Sequence, residues 1–169
     1  MNRLSTLIFD LPERIASHLL WLPPTLARIA VGWVFLQTGW GKLQNLDRII
    51  AFFTDLGIPF PQYQAPFVSA TELVCGALVL VGLLTRFAAV PLIGTMVVAI
   101  ATAQWSQVDS LAGLLGLVET LYIVLFAWIA IAGPGPVSLD RLLERAVRRE
   151  PRPASAPFPG AARAVGVRR

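Results

Sequence analysis

The chain has 169 residues, of which 56% are hydrophobic and only 14% charged, with a mean hydropathy of +0.67. Soluble domains carry about 25% charged residues, so this composition excludes an ordinary soluble fold and points to one membrane-embedded domain with polar ends. The net charge is +4; from residue 137 onward eight arginines face three acids, which gives +5 there and −1 for the rest.

A basic end on an apolar chain acts as an orientation signal and anionic-lipid contact rather than a nucleic-acid site. The single cysteine, Cys75, excludes an internal disulfide or dithiol relay. The single histidine, His18, leaves no pair for a bis-His haem, and it reads as an interfacial residue without a ligand role. No His/Cys cluster has metal-ligand spacing, and no phosphate-binding or dinucleotide fingerprint is present.

In chain order, residues 1–24 read as an N-terminal interfacial helix rather than a cleavable signal, because Asp10, Glu13 and Arg14 interrupt any apolar run. A first crossing is expected over 25–41, with Arg28 one turn inside its start and Lys42 just past its end. A short amphipathic helix follows over 46–56, with Leu46, Ile49, Ile50, Phe53 and Leu56 on one face. Gly57 closes it, and the helix is expected to form a lid or shelf over one end of the bundle. Two apolar segments, 67–84 and 87–103, then meet at Thr85-Arg86 as a membrane hairpin. Pro91 is expected to kink the second arm. The fourth crossing is expected as one helix over 111–132, stopped by Gly133-Pro134-Gly135-Pro136. An amphipathic surface helix covers 137–150, and 151–169 reads as a disordered basic tail. The fold class is therefore an all-α, integral-membrane four-helix bundle over 25–136, with interfacial helices at both ends and in the first loop.

Basic residues set the expected orientation. The tail, Arg3, Arg14 and the Arg86 turn outweigh Lys42 and Arg48, which puts both termini in the cytoplasm of a bacterial inner membrane. Helices 2 and 4 then enter from outside, with Glu72 about 8 Å deep and Glu119 about 12 Å deep. Gln37, Lys42 and Gln104 fall in the same outer half, and Tyr122 lies one turn beyond Glu119. A charge at mid-bilayer costs roughly 2.5–3.5 kcal/mol, so both glutamates should face the bundle interior, paired or protonated. Lys42, Glu72, Glu119, Gln37 and Tyr122 form the candidate binding cluster, and Arg28 is a separate intramembrane charge near the inner end. Either glutamate could take Lys42 as its partner. The cluster supports two readings: a pocket for a polar or amphipathic head group or a proton, or a buried Lys–Glu network that fixes helix register.

The run ARIAVGWVFLQTGWGKL, then LGIP, then TELVCGALVLVGLLTR, then GPGPVSLD, resembles the DoxX family of small bacterial membrane proteins. The matching positions include Arg28, Gly39, Lys42, Gly57, Pro59, Glu72, Gly76, Gly82, Arg86 and the Ser138-Leu139-Asp140 ending. The resemblance implies a four-helix membrane bundle associated with membrane redox systems, one relative being a subunit of a thiosulfate:quinone oxidoreductase. It supplies no catalytic residue, so whether this chain is an enzyme stays open. It implies a non-catalytic or quinone-associated subunit, with no tightly bound cofactor, a quinone as candidate ligand, and membrane oxidoreductase subunits or a second copy as candidate partners. The alternatives are a small proton-coupled transporter carrying protons on Glu72 or Glu119, and a structural or assembly protein.

Overall fold

A computed structural model describes Leu19 and residues 21–148. The expected N-terminal interfacial helix lies almost wholly outside the described residues, and the basic tail of 151–169 entirely so. Every described element is helical. α1 spans Leu22–Gln44 and α2 Leu46–Asp55; α3 is Pro61–Val81 and α4 Thr85–Ala99. α4 runs on through a π-helical turn, Ile100–Gln104, and a 3-10 turn, Trp105–Gln107. α5 is Leu111–Gly116, α6 Val118–Ala132 and α7 Leu139–Arg148.

Prolines open α1 and α3, where the missing N–H would have had no helical acceptor anyway. α1 and α3 form the closest pair because glycines remove the side chains between them. A Cβ on Gly32 would lie 2.6 Å from the Leu80 backbone nitrogen, and one on Gly76 2.6 Å from that of Leu36. A Cβ on Gly39 would run into the Leu73 backbone. Small residues at such a seam let dispersion and backbone contact hold helices together where no hydrophobic effect operates. α3 packs next on α4, and α4 on α6, while α6 and α1 touch only lightly. The core between them is Val31, Phe35, Val79, Leu92, Phe126 and Ile129 with small alanines. Phe35 meets Phe126 and Tyr122 edge-on, with ring centroids 5.0 and 5.2 Å apart.

Polarity is distributed inside out. Arg28, Ser69, Glu72 and Thr85 are buried, whereas Phe67, Phe87 and Ile131 are each more than 70% exposed. A bundle in hydrocarbon has this pattern, since its apolar residues gain little by leaving lipid and its polar ones gain much. Two helices, Pro61–Val81 and Thr85–Gln107, are long and apolar enough to span a bilayer.

Two expectations need correction. The second crossing begins at Pro61 rather than near 67, so Glu72 lies about three turns and 16 Å into α3, near its middle. The fourth crossing is not continuous: Leu117 is extended, with ψ 138°, and separates α5 from α6. The Thr120 hydroxyl donates to the Leu114 carbonyl at 2.6 Å, taking the acceptor that a continuous helix would offer to the Val118 N–H. Gly113 and Gly116 lower the cost of leaving the helix there. Glu119 consequently sits in the first turn of α6 instead of two turns down a longer helix.

At the opposite end, the segment after α6 folds back on the α3–α4 turn. Arg28 donates from Nη1 to the Pro134 carbonyl and from Nη2 to that of Val137, both at 2.7 Å. Asp140 accepts the backbone N–H groups of Leu84 (2.8 Å) and Thr85 (3.2 Å), and its own N–H donates to the Gly82 carbonyl at 2.9 Å. Gly82 combines φ +75° with contact against the Arg28 guanidinium, leaving no room for a side chain. Arg28, a separate intramembrane charge in the sequence, thus ties α1 to the segment after α6 and to the α3–α4 turn.

Candidate functional site

The site begins with the α1–α3 seam. Gly39 seats α1 directly on the backbone at Glu72-Leu73. Lys42, almost one turn further along α1, is thereby carried to Glu72. Its Nζ donates to Glu72 Oε1 at 2.7 Å. The two ends of this pair live in different surroundings: the Lys42 side chain is 32% exposed and that of Glu72 2%. The second carboxylate oxygen, Oε2, is buried and has no partner.

Glu72 and Lys42 border a cavity of about 800 Å³ between α3 and α4, roofed by α2. Phe52, Phe53 and Leu56 of α2, Phe67 of α3 and Met96 of α4 give it mainly apolar walls. Small-molecule sites typically have 300–1,000 Å³ and a few convergent polar groups in apolar walls. α2 can form this roof because its sequence places Phe53 and Leu56 on one face and Asp47, Arg48 and Asp55 on the other. The cavity extends along Val74 of α3, Val98 of α4 and Thr102 of the π-helical turn, all exposed, so it opens at the outer surface of the bundle.

Glu119 also lines this cavity, where its Oε1 accepts from Gln104 Nε2 at 3.3 Å. Gln107 in turn donates to Gln104. Gln37 is exposed on α1 and does not line the cavity. Tyr122 packs on Phe35 and borders a separate shallow groove of about 480 Å³ on α6. Of the five residues in the sequence-level cluster, three share one cavity: Lys42, Glu72 and Glu119. Cys75 lines it as well, one turn from Glu72. Three threonines, Thr71, Thr95 and Thr102, were missed by the sequence reading. Their isolated positions in apolar helices give a signal only once α3 and α4 are seen to face each other.

Among the described residues no group of histidines, cysteines and carboxylates could hold a metal ion. Chemically, the cavity borders an ammonium–carboxylate pair whose second carboxylate oxygen is buried without a partner, and it adds a second carboxylate and mainly apolar walls.

A family model described as DoxX matches residues 24–105. An uncharacterized membrane protein of Mycobacterium tuberculosis is 37% identical over 140 residues, covering 73% of this chain and 83% of its own length. The inner membrane protein YphA of Escherichia coli is 32% identical, over 69% of this chain and 86% of its own. A Bacillus subtilis protein provisionally named oxidoreductase CatD is 33% identical, over 65% and 77%. No solved structure matches.

Proposed function

We propose that this chain, which belongs to the DoxX family of membrane proteins, holds the head group of a lipid-soluble quinone in the α2–α3–α4 cavity and serves as a quinone-associated subunit of a membrane redox system. The observation that carries this reading is the buried, unpartnered Glu72 Oε2 beside Lys42 at an apolar cavity open toward lipid. A buried carboxylate oxygen without a hydrogen bond costs about 1–3 kcal/mol or more, a cost that a ligand donor at that point would offset. The provisional oxidoreductase name of the Bacillus subtilis relative agrees with a redox setting.

A purely architectural pair would account for the Lys42–Glu72 contact. It gives no role to the apolar cavity of about 800 Å³ that the pair borders, whose size falls in the range of small-molecule sites. The orientation belongs to the same proposal. The Arg28, Arg86 and α7 end faces the cytoplasm, and Lys42, α2 and Gln104 face outward.

Purification from the native membrane in mild detergent, with mass spectrometry of bound lipids and companion proteins, tests the proposal. Stoichiometric quinone, or a copurifying dehydrogenase, is the expected result. A clean preparation with neither would overturn it.

A further inference from the structure

We propose that the cavity prefers the reduced, hydroxyl-bearing form of its head group, a hydroquinone, over the oxidised quinone. This rests on the quinone reading above and adds a direction to it. The basis is the balance of free donors and acceptors that the cavity presents.

Three threonines line it, and the hydroxyls of all three spend their protons within their own helices. Thr71 Oγ1 donates to the Phe67 carbonyl, Thr95 Oγ1 to that of Leu92 and Thr102 Oγ1 to that of Val98, each at 2.8 Å. With the proton committed, each hydroxyl has only lone pairs left to offer. Glu72 adds the unpartnered Oε2, and Glu119 adds a carboxylate of which only Oε1 has a donor, Gln104. Gln64 commits one amide hydrogen to the Pro59 carbonyl at 2.8 Å and leaves its oxygen free. Against these acceptors stand few donors: the two remaining Lys42 N–H groups, one Gln64 amide hydrogen and the weak Cys75 thiol.

A quinone carries two carbonyl oxygens and no ring donor. Lys42 could serve one of them, but Glu72 Oε2 would then face apolar surface or another lone pair. A hydroquinone carries two O–H groups. One of them can donate to Glu72 Oε2 in a charge-assisted bond, while the same oxygen accepts from Lys42. Sites built to hydrogen-bond a hydroxyl discriminate strongly against the analogue that lacks it, because their buried polar groups are left unpaired. The half-exposed setting of Lys42 tempers this, and the expected preference is at least about tenfold. For a two-electron couple, a tenfold tighter hold on the reduced form raises the bound couple's potential by about 30 mV.

The experiment titrates the purified full chain in detergent with a decyl-tailed benzoquinone, and with the same compound reduced by dithionite under argon. Binding and thermal unfolding are read in parallel. The result expected is hydroquinone binding at least about tenfold tighter than quinone, with the preference falling to within about threefold in Glu72→Gln, whose amide can donate to a carbonyl. Equal affinities in the natural protein, or tighter quinone binding, would overturn the preference and leave the head-group reading standing. Absence of binding by both forms would overturn the two together. The comparison of redox forms needs no variant, so an unstable Glu72→Gln protein does not blunt it.

Discussion

Glu72 and Lys42 make one ion pair with unequal ends, and the inequality sets what their loss should do. Removing Lys42 strands a carboxylate that is 2% exposed; removing Glu72 strands an ammonium that is 32% exposed and can reach polar surroundings. Breaking a buried pair from one side costs about 3–5 kcal/mol when the remaining charge stays buried. Lys42→Met should therefore lower the thermal midpoint in detergent more than Glu72→Gln does, and the double substitution Lys42→Met/Glu72→Met should recover much of the loss. Equal midpoints for the two single variants would contradict this picture of the site. The sequence already placed both residues in the polar cluster but left Lys42 with two candidate partners. The choice falls to Gly39, which brings the α3 backbone under α1 at Glu72, a contact that no spacing rule reads from one chain segment alone. At the same position, Gly39→Ala should disrupt the pair without touching either charge. The added methyl meets Leu73 backbone, which cannot rotate away, so folded yield should fall well below that of Gly41→Ala, where the space is open. Similar yields would show that the seam is looser than described.

At the scale of elements, the helices that periodicity described best are α1, α2 and the two arms α3 and α4. Long apolar runs and an amphipathic stripe are local properties, so they were legible. The break at Leu117 was not, because it depends on the Thr120 hydroxyl competing for the Leu114 carbonyl, six residues back. Threonine inside an apolar run reads as one more helical residue until its partner is known. The start of α3 was misplaced because the second crossing was drawn from the apolar run at Phe67, whereas Pro61 opens the helix at its favoured first position and Pro66 is accommodated within the first two turns. The α3–α4 turn gives a sharper test. Asp140 supplies the two acceptors for the Leu84 and Thr85 N–H groups that no residue of the turn itself provides. Asp140→Ala should cost about 0.5–2 kcal/mol, the usual worth of a capping side chain. Asp140→Asn, which keeps one acceptor, should lose less. The check is detergent unfolding of both variants against the natural chain, and equal losses would argue against a capping role.

For the whole molecule, two ends of the bundle differ in kind. One is tied together by Arg28 and Asp140 through backbone groups, with Arg86 and Arg141 nearby. The other carries Lys42, the α2 roof and the cavity. The proposed orientation predicts that, in a Cys75→Ser background, Asp55→Cys reacts with an impermeant thiol reagent in intact spheroplasts. Ala146→Cys should react only after permeabilisation. The reverse pattern would invert the topology and place the cavity on the cytoplasmic side.

The central claim is that the α2–α3–α4 cavity receives a quinone head, and its most direct test is where such a molecule touches the protein. A photoactivatable quinone analogue, crosslinked in native membranes and mapped by peptide mass spectrometry, should mark Phe53, Thr71, Cys75 and Met96. An excess of unlabelled quinone should suppress that labelling. Labels spread over the outer apolar residues such as Phe87 and Ile131, unchanged by competitor, would contradict the claim and leave the Lys42–Glu72 pair as architecture.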